Sequence, residues 1–148
     1  MKLKILIALT ALVASGSSQA SSVDPTEIDG VIKHLDLTTF RNSVGPRQVS
    51  GKKTFADYGF SPVEKTVNGA KLVHDDKGWM MGFSIISADP TSLRLCFYDR
   101  GLARPGDLRA PSYNATSALL VSKSRRGMWA AKQVPEGFAN CQNDSAAG

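Results

Sequence analysis

Hydrophobic and polar positions follow three different rules along this chain. Near the start, Ile5 to Val13 is apolar except for Thr10, behind a basic Lys2/Lys4 and ahead of small residues ending Ser18-Gln19-Ala20. That order is the one a secretory signal has, with cleavage expected after Ala20 and a second candidate cut after Ser15. The run is about half the ~20 residues a bilayer span needs, so a membrane anchor is not expected. No cysteine lies near the cut, so a lipid anchor is not indicated either.

The second rule is helical. Asp24 can cap, Pro25 suits a first helical position, and Glu27 stands three after the cap as in a capping box. Ile28, Val31, Ile32 and Leu35 recur at one apolar face, which predicts a helix over 25–36. Gly30 interrupts it at a cost of about 1 kcal/mol. From Leu37 to Phe60 no period is visible, and Gly45-Pro46 and Ser50-Gly51 mark turns.

The third rule is alternation. Strands are predicted over 63–67, 70–74, 79–88, 92–99, 113–123 and 128–134. Asn68-Gly69 between the first two predicts a type I′ hairpin with both residues at positive φ. Trp79, Met81, Phe83 and Ile85 should share one face of the third strand. On the fourth, Leu93, Leu95 and Phe97 should oppose Arg94, Cys96 and Tyr98. The helix has only the apolar face of this sheet to bury its stripe on. The expected fold is α+β: an N-terminal helix packed on an antiparallel meander of about six strands, with residues 1–20 as the signal and 21–148 as a single domain.

Cysteine count adds a crosslink. Cys96 and Cys141 are the two cysteines, an even number in a chain expected to be periplasmic or secreted, so a disulfide is the default. Since Cys96 should point away from the main core, the bridge requires the C-terminal segment to cross the opposite face of the sheet. Residues from Asn143 on should fray.

Charge changes the picture little. Leaving out Lys2 and Lys4 takes the 18 basic residues to 16 against 13 acidic ones, a charge of +3. That is too mild to imply nucleic acid. The 148 residues carry 42% hydrophobic and 21% charged side chains, which excludes a wholly disordered chain.

No catalytic set stands out. The two histidines are His34 and His74, and no G-x-S-x-G motif occurs. His74-Asp75-Asp76 could present metal ligands, but it ends in a turn and alternate strand residues face apart. No metal or cofactor is expected. Nothing selects a pair of carboxylates for glycoside chemistry. Glu64 is expected to meet Lys71 or Lys65 across or along its strand. Asn114-Ala-Thr116 and Asn143-Asp-Ser145 match a glycosylation sequon, a pattern usually accidental in a bacterial envelope protein.

Basic residues cluster in three places. Arg41, Arg47, Lys52 and Lys53 lie in the aperiodic segment. Arg100, Arg104 and Arg109 lie in a connection between 99 and 111 that is long for this domain, and such loops are often functional. Arg125 and Arg126 mark a hairpin tip. Arginine forks suit carboxylate or phosphate. The alternative for the 99–111 loop is that its arginines pair with Asp99 and Asp107. The leading expectation is a non-enzymatic exported binding protein, inhibitor- or immunity-like. Arg100, Arg104 and Arg109 would contact an envelope or secreted protein with an acidic surface, or an anionic envelope polymer, with Arg41 and Arg47 second. A rival expectation is a small-ligand or polysaccharide carrier with a pocket between helix and sheet, where Trp79, Tyr98 and Tyr113 stack on the guest. A third is a weak hydrolase using His74.

Overall fold

The structure, a computed structural model, describes residues 23–109 and 111–141, and the expected signal segment lies outside them. One helix, α1 (Pro25–His34), precedes six strands: β1 (Phe60–Lys65), β2 (Gly69–His74), β3 (Trp79–Ala88), β4 (Ser92–Leu102), β5 (Pro111–Ser122) and β6 (Ala130–Gln133). They form one sheet in the order β1-β2-β3-β4-β5-β6, every neighbouring pair antiparallel. This is the α+β meander the alternation predicts. No helix among the described residues is long and apolar enough to cross a membrane.

Asp24 caps α1 by accepting the Thr26 N–H at 2.9 Å and the Thr26 hydroxyl at 2.8 Å. Glu27 does not close a capping box as expected. Its carboxylate turns instead to Lys123, at 2.6 Å, while Asp29 on the same helix meets Lys65 at the end of β1, also at 2.6 Å. Both contacts place α1 at one end of the sheet. Ile28, Val31 and Leu35 are buried there in a common core with Leu93, Leu95, Leu119 and Val121. Gly30 has a packing reason: a Cβ on it would lie 2.3 Å from the Trp129 ring, so the indole rests directly on helix backbone. The helix stops at His34, two residues short of the expected end. The Asp36 N–H then donates to the Trp129 carbonyl at 2.9 Å, committing the chain to an extended path.

The hairpin after β1 exists, but not as a type I′ turn on Asn68-Gly69. The Thr66 N–H donates to the Gly69 carbonyl at 2.9 Å, so Val67 and Asn68 are the two loop residues, and neither has positive φ. Gly69 is needed for a different property of glycine. A Cβ there would sit 1.9 Å from the Phe83 carbonyl oxygen of β3. Close approach of two backbones, not a left-handed conformation, is what this glycine permits. Glu64 does meet Lys71 across the hairpin, at 2.7 Å. Pro62 lies on β1, an edge strand, where its missing N–H costs no ladder bond.

Cys96 and Cys141 form a disulfide with Cα atoms 5.6 Å apart. Cys96 stands on the outer face of β4, and the Arg94 guanidinium on that face lies 5.6 Å from the Phe138 ring centroid. The C-terminal segment therefore crosses the outer face, as the parity of Cys96 requires. Residues 143–148, expected to fray, lie outside the described residues.

Candidate functional site

The inner face of the sheet changes character along its length. Strand register lines its residues up in rows. Ile85, Leu95 and Leu119 make one row, and Phe83, Phe97 and Ser117 the next. Then come Met81, Asp99 and Ala115, and finally Trp79, Gly101 and Tyr113. Toward α1 the rows are bulky and apolar. Away from it β5 contributes the small Ser117 and Ala115 before Tyr113, and β4 contributes Asp99 and Gly101. A row of small residues leaves space that large ones would fill. The space is a cavity of about 1020 Å³ at the end of the sheet opposite α1. Ligand pockets run to roughly 300–1,000 Å³, so this one is at the large end.

Its roof comes from the aperiodic segment between α1 and β1. Asp36 is buried and holds that segment's two ends together. It accepts from the Thr38 N–H at 3.0 Å and the Thr38 hydroxyl at 2.6 Å, and its other oxygen lies 3.1 Å from Lys53 Nζ. Burial opposes ionisation of Asp36, but the Thr38 bonds and the Lys53 charge outweigh it and keep the carboxyl below its ordinary value. Phe55 is fully buried, with its ring centroid 6.4 Å from that of Phe83 and 6.5 Å from that of Phe97. Phe40 meets Phe97 edge-on at 5.0 Å. Asn42 then turns the chain, its amide donating to the Leu37 carbonyl at 2.6 Å and its oxygen accepting the Val44 N–H at 2.8 Å. The turn aims Ser43 at the sheet.

Ser43 meets Asp99. Its N–H donates to Asp99 Oδ2 at 2.5 Å and its hydroxyl to Oδ1 at 2.9 Å, and the Trp79 indole N–H also donates to Oδ1. Asp99 is only 2% exposed and lines the cavity. Burial pushes its carboxyl above the ordinary value, and the bonds from Trp79 and Ser43 offset this only in part. Among the described residues no cation forms an ion pair with it.

The walls are aromatic. Trp79 and Tyr113 lie with ring centroids 5.6 Å apart at a tilt of 32°, and Tyr58, Phe60 and Phe97 complete the lining. Gly101 permits this arrangement, because a Cβ there would come within 2.9 Å of the Trp79 ring. His74 sits at the mouth, its ring edge-on to Phe60 at 5.2 Å and its Nδ1 2.9 Å from Asp76. Asp76 is held below the ordinary carboxylate value, chiefly by the Gly78 N–H, then by His74, with Arg47 adding a distant positive charge.

The arginines singled out by sequence divide between two places. Arg41 and Arg47 are exposed and line the cavity. Lys52 and Lys53 have other roles: Lys52 Nζ lies 5.9 Å from the Tyr58 ring centroid, and Lys53 serves Asp36. Arg100 is not in a loop. β4 runs on to Leu102, which shortens the connection to 103–110, and Arg100 Nε donates to Asn114 Oδ1 at 2.7 Å on the outer face. Arg109 pairs with Asp107 at 3.2 Å, and Arg104 is exposed. Asp99 faces inward and does not neutralise these arginines. Tyr98 stands on the outer face beneath the Arg100 guanidinium, 5.3 Å from its ring centroid, so it does not join Trp79 and Tyr113. The cavity likewise lies away from α1 and not between helix and sheet.

Asp99, Ser43, Tyr58 and Phe60 were missed as site residues. Asp99 had a signal: it shares parity with Leu93, Leu95 and Phe97, two positions further along the same strand. Among the described residues no group of three or more His, Cys, Asp or Glu side chains is placed to hold a metal ion. No protein-family profile matches the chain, and no similar curated protein or solved structure was found.

Proposed function

We propose that this chain is an exported, non-enzymatic binding protein that takes a small organic ligand into the cavity over Asp99. The observation that carries this reading is a large concave site with aromatic walls and a buried carboxylate at its floor, the combination of apolar surface and placed polar groups that small-molecule sites use. The disulfide supports an oxidising compartment, either periplasmic or extracellular. The reading with a protein partner gripped by Arg100, Arg104 and Arg109 has less behind it. Arg100 and Arg109 each spend a donor on a partner within the chain, Asn114 and Asp107, so the three do not form one open cluster of forks.

Filling the cavity tests the proposal. Ala115 is half-buried beside Asp99 in the register and faces the open space. The oxidised protein should bind one equivalent of anilinonaphthalene sulfonate saturably, with enhanced probe fluorescence. A panel of small aromatic and amphiphilic compounds should compete for it. Ala115→Trp should weaken the probe by about tenfold or more, since it removes the volume that excludes water from the guest. Binding unaffected by Ala115→Trp, or no stoichiometric binding from the whole panel, would overturn the reading.

A further inference from the structure

The charges around the cavity are separated, and the separation describes a guest. Asp99 lies at the floor. It has three donors, all formally neutral: the Ser43 N–H, the Ser43 hydroxyl and the Trp79 indole. Oδ2 accepts one of these bonds, and a carboxylate oxygen can accept two. A buried carboxylate is expensive without a countercharge, and among the described residues no cation forms an ion pair with it. The rim carries mainly the opposite sign, its acid, Asp76, being met by His74 at 2.9 Å. Arg41 and Arg47 are exposed there, and neither makes an ion pair among the described residues. Between floor and rim stand the Trp79 and Tyr113 rings. Tyr113 remains 47% exposed, an aromatic face left open on an otherwise packed row.

A purely anionic guest would meet Asp99, and a purely cationic one would pass the arginines. We infer that the cavity takes a zwitterion: an organic ammonium seated against Asp99 and the Trp79 and Tyr113 rings, joined to an anionic group held at the rim by Arg41 and Arg47. This rests on the small-ligand reading and names its chemical class. Ring faces attract a substituted ammonium through their quadrupole, and the fork of an arginine suits carboxylate or phosphate. The floor donors fix Asp99 in place before the guest arrives, so little ordering is left to binding.

Three probes of matched shape separate the contributions. Phosphocholine carries both charges, choline lacks the anion, and neohexyl phosphate has carbon in place of the ammonium nitrogen. Calorimetric titration of the disulfide-bonded protein should show phosphocholine binding about tenfold or more tightly than either of the others. Asp99→Asn should erase its preference over neohexyl phosphate. Arg41→Gln with Arg47→Gln should erase its preference over choline. Should Asp99→Asn fail to fold, Tyr113→Ala serves in its place, because this exposed ring can be lost without opening the core. It should lower phosphocholine affinity several-fold and leave the melting temperature unchanged. Equal or tighter binding of neohexyl phosphate would overturn the ammonium and spare the small-ligand reading. No binding of phosphocholine would overturn the zwitterion, while the competition panel and Ala115→Trp judge the broader reading independently.

Discussion

Asp99→Ala should lower the unfolding free energy by about 2–3 kcal/mol, measured by urea denaturation. Truncation removes the acceptor of the Ser43 N–H, the Ser43 hydroxyl and the Trp79 indole at once. Each buried donor left without a partner costs about 1–3 kcal/mol, but water from the adjoining cavity can reach part of this cluster and trims the sum. Asp99→Asn should cost less, about 1–2 kcal/mol, because Oδ1 can keep its two donors while the amide nitrogen faces the Ser43 N–H.

The pH dependence of that pair of proteins carries the sharper sign. Burial holds the Asp99 carboxyl above its ordinary 3.8 in the folded state. The folded protein therefore binds its proton more tightly than the unfolded chain does, and stability falls as pH rises from about 3.8 through the raised value. The other charged or titratable groups around the cavity are Arg41, Arg47, Tyr58, His74, Asp76 and Tyr113. Their contributions, and that of Asp36, are present in both proteins and cancel in the difference to first order. The advantage of wild type over Asp99→Asn should be greatest below about pH 3.8 and shrink as pH rises above it. An advantage that grows with pH would mean the three donors, not burial, govern this carboxyl.

Removing the crosslink should have the largest effect. The Cys96–Cys141 bridge closes a separation of 45 residues. Loop-closure entropy sets its contribution at about 4 kcal/mol at most, which for a domain of this size is a fall in melting temperature of roughly 10–15 °C. The double variant Cys96→Ala/Cys141→Ala should show that loss by calorimetry. It should also become open to proteolysis near Phe138, since the covalent tie of the segment to the outer face is then gone. A shift of only a degree or two would show that the segment docks without its bond.

Much of this architecture is legible in the residues because every strand pairs with its neighbour in sequence. Alternation in Trp79–Ile85 and Leu93–Phe97 assigns the inner face, and the position of Cys96 on the outer face already implies where the chain's end must run. The site was harder to see. Asp99 continues the alternation beyond Phe97, but an acid at the edge of a strand reads as the start of a loop when burial is unknown. Ser43 arrives from 56 residues earlier through a segment with no period, held by Asp36, Asn42 and Phe55 in ways no local pattern encodes. Arg41 and Arg47 rank second to Arg100 on sequence because nothing in the alternation carries β4 past Asp99 to Leu102. The Asn-Gly pair shows a further limit: glycine signals a need for room or for an unusual φ, and the letters alone do not say which.

The meander has a consequence for when the site exists. Each hairpin can zip onto the one before it, so most of the sheet closes through short loops and needs few distant encounters. The cavity depends on such an encounter, the contact of Ser43 with Asp99 across 56 residues. Its roof buries Leu37, Val44 and Phe55 in the main core and hydrogen-bonds to β4 and β6 through Ser43 and Thr39, but it adds no strand to the ladder. The site therefore exists only where a segment with no strand of its own is packed into the same core as the sheet, and its integrity follows that shared core rather than any single hairpin.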